Sequence, residues 1–141
     1  MKELSVAGRR FEGVHCTLEI RRPGERVVLV TITGTDIGEL GEAPFRELDR
    51  DLADERPLEL FIDTRDTRDA SMGVSQDWAV WLQRNRAHFH RVTMLPGSRF
   101  IQVTADFVRR FADLGDCMYI TTDAAAFDTA LETAVTTRRS D

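Results

Sequence analysis

Val27-Val28-Leu29-Val30-Thr31-Ile32-Thr33 decides the fold. Seven residues, nearly all apolar and β-branched, have the composition of a strand buried on both faces. Arg21-Arg22-Pro23-Gly24-Glu25-Arg26 precedes the run and reads as a turn, with Pro-Gly punctuation. Before the turn, Cys16, Leu18 and Ile20 alternate with Thr17 and Glu19, the pattern of a strand with one wet face. The two runs therefore form a hairpin, an outer strand feeding an inner one.

Similar runs follow at Leu58–Ile62, Arg91–Leu95 and Cys117–Thr121, separated by stretches of helical period. Pro44 opens a helix whose apolar positions are Phe45, Leu48 and Leu52. A second begins near Ser71, with Val74, Trp78, Trp81, Leu82 and Phe89 predicted on one face. Ser98 is placed to cap a third, with Phe100, Val103, Phe107, Val108 and Phe111 predicted as its inner face. Asp123 is placed to cap a fourth, with Phe127, Ala130, Leu131 and Ala134 turned inward. Strands alternating with helices predict an α/β fold: one mixed, mostly parallel sheet of about five strands, with an N-terminal edge hairpin and four helices. Residues 1–10 read as a loose lead-in and 11–141 as a single domain.

A chain of 141 residues is long enough to bury a sizeable core without metals or disulfides. Its net charge of −5 argues against a nucleic-acid partner, which calls for a basic stripe. The longest apolar run, Trp78 to Leu82, is far too short to span a membrane. Cys16 and Cys117 are too few for a disulfide framework, and no signal-peptide stretch opens the chain. These features place the protein in the cytoplasm, with reduced thiols.

Catalytic patterns are sparse. Asp36 closely follows one predicted strand and Asp63 ends the next, the positions where ligands bind in open α/β sheets. However, Asp63-Thr64-Arg65-Asp66 lacks the Asp-x-Asp spacing of a Mg²⁺-dependent phosphotransferase, and the only lysine is Lys2. His88 and His90 have no evident third ligand, so no metal site is predicted. Gly34, Gly38 and Gly41 match neither the dinucleotide nor the P-loop spacing. No catalytic residue and no cofactor are assigned, and the chain reads as a non-enzyme.

Asp69-Ala70-Ser71-Met72-Gly73-Val74 places an acid, small residues and a serine where a strand gives way to a helix. With the element order above, this resembles STAS domains, found in anti-sigma-factor antagonists and in the cytoplasmic tails of sulfate transporters. The antagonists read Asp-Ser-Ser-Gly here, and a partner kinase phosphorylates the first serine. With Asp69 aligned, Ala70 occupies that position, Ser71 is the second serine and Met72 is inserted before Gly73. The chain from about Phe11 to Val135 looks closer to single-domain bacterial STAS-like proteins, which share their topology with CRAL-TRIO lipid-binding domains. Pro96-Gly97-Ser98 and Thr122-Asp123-Ala124-Ala125-Ala126-Phe127 are the most similar stretches.

Two functions follow. In the first, the chain is a regulatory module that binds a partner protein through Asp63, Arg65, Asp66, Arg68, Asp69, Ser71 and Gly73, with Ser71 as phosphorylation site or helix cap. In the second, it carries a lipid or another small apolar ligand between helices and sheet, lined by Trp78, Trp81, Phe100 and Phe107. A closed interior supports the first, and a cavity of several hundred Å³ the second.

Overall fold

The computed structural model describes residues 8–139. Its sheet has six strands in sequential order: β1 (Gly8–Glu12), β2 (Cys16–Gly24), β3 (Val27–Asp36), β4 (Leu58–Ala70), β5 (Phe89–Pro96) and β6 (Met118–Ile120). The first three pair antiparallel, and β3 to β6 pair parallel. The mixed, mostly parallel sheet and the β2–β3 hairpin are as expected, but β1 rather than β2 forms the edge. The sixth strand is β1, which takes Gly8, Arg9 and Arg10 out of the expected lead-in and pairs them with Arg21, Ile20 and Glu19. The rest of that lead-in lies outside the described residues.

Four helices complete the fold: α1 (Ala43–Leu52), α2 (Met72–Arg84), α3 (Arg99–Phe111) and α4 (Ala124–Arg139). Right-handed crossovers between adjacent parallel strands put α1, α2 and α3 on one face. Beneath them lie Leu18, Ile20, Val28, Val30, Ile32, Leu60, Ile62 and Val92. The alternate residues Val27, Phe61 and Leu95 point to the other face, where Phe127 of α4 covers them. Phe61 and Phe127 meet edge-on, with ring centroids 5.7 Å apart. In the central strands Val28, Val30, Leu60 and Ile62 are fully buried. Met94 and Ile120, nearer the β6 edge, are half-buried.

Three readings are corrected. First, the polar string from Asp63 to Asp69 is not a loop but the second half of β4, which continues along β3 as far as Asp36. Its alternation is hidden by two bulges, one opposite Thr31/Thr33 and one opposite Gly34/Thr35. The first leaves Ile32 without a partner on β4, and Thr67 Oγ1 donates to its carbonyl at 2.7 Å. Second, α2 ends at Arg84, and Phe89 belongs to β5. Third, α3 turns Ile101, Ala105 and Val108 inward, while Phe100, Val103 and Phe111 face solvent. Small residues fill the space between α3 and the core, which has no room for a row of phenylalanine rings.

The turn from β5 into α3 crosses close over β4. A Cβ on Gly97 would stand 2.6 Å from the Thr64 carbonyl oxygen and closer still to that of Arg65. Leu60→Ala should cost about 2–5 kcal/mol by opening a cavity in the central strand. Gly97→Ala should also lower the urea midpoint, by forcing the turn off β4. Chemical denaturation checks both, and a Leu60→Ala loss below about 0.5 kcal/mol would contradict a central β4.

Candidate functional site

The carboxyl ends of β3 and β4 build the site. Asp36 closes β3, and its carbonyl accepts the Ser71 N–H at 2.9 Å. This bond holds the β3–α1 loop beside the start of α2. Ser71 is the N-cap of α2: its backbone is extended, and its hydroxyl accepts the Val74 N–H at 3.2 Å. The cap predicted from sequence is therefore present. Ser71 itself is half-exposed and has exposed apolar neighbours, Met72 (74%) beside it and Ile37 (52%) across the loop.

A second connection ties the β1–β2 turn to the same end. The Glu39 carboxylate accepts backbone N–H groups from Val14, His15 and Cys16, at 3.1, 2.7 and 3.1 Å. These bonds, that from His15 foremost, hold its pKa below the usual range. Cys16 lies buried against Asp36 and Glu39. Burial, then these two acids, push its thiol up to about 11, so it stays protonated at neutral pH. Asp36 is itself buried, with Oδ1 accepting the Gly38 N–H at 3.1 Å. Burial raises its pKa, outweighing that hydrogen bond.

The residues predicted as one partner-binding loop are divided by the strand they occupy. Arg65 bonds Asp63 and reaches Asp128 of α4 at 2.7 Å, so this pair belongs to the α4 face. Asp66, Arg68 and Asp69 are exposed along the end of β4. Only Asp69, Ser71 and Gly73 cluster at the α2 entrance; Asp69 accepts its neighbour's N–H at 2.8 Å. Asp36 and Asp63 point to opposite faces of the sheet and do not meet. His90 lies 3.6 Å from Glu59, and no metal-holding group of three or more His, Cys, Asp or Glu occurs among the described residues.

The apolar candidates are divided too. Between α2, α3 and the sheet lies a cavity of about 60 Å³, bordered by Ile62, Thr67, Val74, Trp78, Met94 and Ile101 among others. Of the four predicted lining residues only Trp78 reaches it. Trp81 packs with Phe45 and Phe89, and its indole N–H donates to Asp49 at 2.9 Å. Phe107 packs against the core from the flank of α3, and Phe100 is exposed. Asp36 and the cavity-facing Thr64, Thr67 and Ser75 were not singled out from sequence for this space; the bulges that aim the two threonines leave no signature in the residue order.

These features define a SpoIIAA-like fold, the STAS-like class of α/β domain. A solved structure that matches is an uncharacterised protein of the DUF3478 family from Shewanella loihica with a SpoIIAA-like fold: TM-score 0.61, 16% identity, covering 86% of this chain and 98% of that one. No family model matches the chain. No curated protein matches it either. No helix among the described residues is long and apolar enough to cross a membrane.

The buried acid gives a pH test. Because the folded-state pKa of Asp36 is raised, its ionisation costs stability as pH rises through that value. Asp36→Asn, which can still accept the Gly38 N–H, should raise the melting temperature at about pH 7. The gain should vanish below about pH 4, where the unfolded-state carboxyl is also protonated. A gain independent of pH would place the charge of Asp36 outside this account.

Proposed function

We propose that the chain is a non-catalytic regulatory module that recognises a partner protein with the end of the sheet around Ser71. The observation that carries this reading is the half-exposed serine cap of α2 between two exposed apolar residues, Ile37 and Met72. Exposed apolar side chains gathered at one end of a small domain mark interaction surfaces. A phosphate on Ser71 would meet free N–H groups and the positive end of the helix dipole. The SpoIIAA-like fold supports the same reading, because the anti-sigma-factor antagonists that contain STAS domains are phosphorylated at this strand-to-helix junction, one residue before Ser71 at the position of Ala70. Such a module works in the cytoplasm and needs no cofactor.

The size of the cavity between α2, α3 and the sheet favours this reading over a lipid carried there. About 60 Å³ is well below the several hundred Å³ that a drug-sized ligand occupies. A lipid would enter only if α2 and α3 moved off the sheet.

Ser71→Ala should cost about 1 kcal/mol of stability through loss of the cap. Ser71→Asp should keep the fold and change affinity for the partner captured by the wild-type chain. Calorimetry with that partner decides. Equal affinity for wild type, Ser71→Ala and Ser71→Asp would leave Ser71 a cap and nothing more.

A further inference from the structure

Helix α3 carries two apolar stripes and buries only one. Ile101, Ala105 and Val108 face the core. Phe100, Val103 and Phe111 are 55%, 61% and 44% exposed. Phe107 stands half-buried between them, its ring 5.7 Å from that of Phe111.

The position of this second stripe follows from helical spacing. Thr104 lines the internal cavity together with Ser75, Trp78 and Leu82 of α2. Residues 100, 104, 107 and 111 form one ridge of a helix. The phenylalanine ridge therefore flanks α2 and rises out of the cleft between the two helices. Both helices follow parallel strands, so both begin at the same end of the sheet. Exposed Met72 thus stands at the Ser71 end of the cleft.

Charge specifies the occupant. Arg84 at the end of α2, and Arg99 and Arg110 at the two ends of α3, are exposed and form no ion pair among the described residues. The one acid within α3, Asp106, is already paired with Arg109. A second copy of the chain would bring like charges together. In an antiparallel pairing that sets Phe100 against the second Phe111, Arg99 would stand beside the second Arg110. In a parallel pairing each arginine would meet its own equivalent. An anionic bilayer would face a chain of net charge −5. An exposed apolar ridge beside α2, with arginines at both ends of α3 that form no ion pair among the described residues, complements a helix with apolar residues on one face and acids on its flanks.

We propose that the cleft between α2 and α3 binds an acidic amphipathic helix of a partner protein. This rests on the interaction reading above and supplies the chemistry of the partner. The test is selection of a display library of randomised helical peptides on the intact chain. Enriched peptides should carry apolar residues at i, i+3 or i+4 and i+7, with Asp and Glu on the flanks. Their binding should fall with salt. It should weaken at least about tenfold in a Phe100→Ser, Val103→Ser variant and in an Arg99→Glu, Arg110→Glu variant, each shown by circular dichroism to stay folded. No enrichment, enrichment of neutral or basic peptides, or undiminished binding by those variants would overturn the proposal. So would wild-type binding to anionic phospholipid vesicles, or wild-type dimers in sedimentation velocity, that the Phe100→Ser, Val103→Ser variant abolishes. The cognate partner separates the two readings. Capture altered by Ser71→Asp but not by the cleft variants removes the cleft and keeps the switch. The reverse pattern keeps the cleft and removes the switch.

Discussion

Burial of β3 on both faces is the constraint on which the rest of the structure depends. The strand bonds antiparallel to β2 on one edge and parallel to β4 on the other. Val28, Val30 and Ile32 must be covered on one side, Val27 and Leu29 on the other. A strand of this kind cannot lie on a wet sheet. The right-handed crossovers supply α1, α2 and α3 to one face, and α4 returns to cover the other. The sheet edges are then β1 and the three-residue β6.

The candidate site exists because β3 and β4 outrun their neighbours. Beyond Thr64, which pairs with Pro96, β4 has no partner on the β5 side. Its last residues bond only to β3, with two bulges taking up the extra length. That ribbon ends in the Asp36–Ser71 backbone bond, which brings together two loops far apart in sequence. The Glu39 carboxylate, seated on three backbone N–H groups, draws the β1–β2 turn to the same end. The surface around Ser71 is therefore assembled from three separate segments, each held by backbone hydrogen bonding. Such a scaffold presents a serine at a fixed place.

The interior and the exterior of α3 illustrate a competition between area and shape. By area alone its phenylalanines belong inside. Close packing against α2 and the sheet favours Ile101, Ala105 and Val108, whose volumes fit the gap. The outcome is a small cavity beneath α3 and an apolar ridge on its surface. At the opposite end of the strands, Arg22 of β2 grips Glu47 and Asp51 of α1, while Arg26 of the β2–β3 turn donates to the carbonyls of Asp51 and of Arg56 in the loop before β4.

Residue order alone determined most of the element types, the α/β class, the β2–β3 hairpin and the three serine and aspartate caps. Each of these depends on local spacing: β-branched runs, apolar positions at helical period, and a side-chain oxygen next to a first helical turn. It also determined that Val28, Val30, Leu60 and Ile62 are central, because inner strands have few alternatives. Tertiary structure alone decided what depends on contacts between distant segments. The bulges of β4 follow from matching two strands of unequal length, so Asp63 and Arg65 go to α4 while Thr64 and Thr67 turn toward the cavity. The choice between two apolar stripes on α3 follows from the width of the space beneath it. Trp81 went to Phe45 and Asp49 because α1 lies against α2, a neighbour that no local pattern names. Periodicity specifies which residues share a face of one element; only packing specifies which face is turned inward.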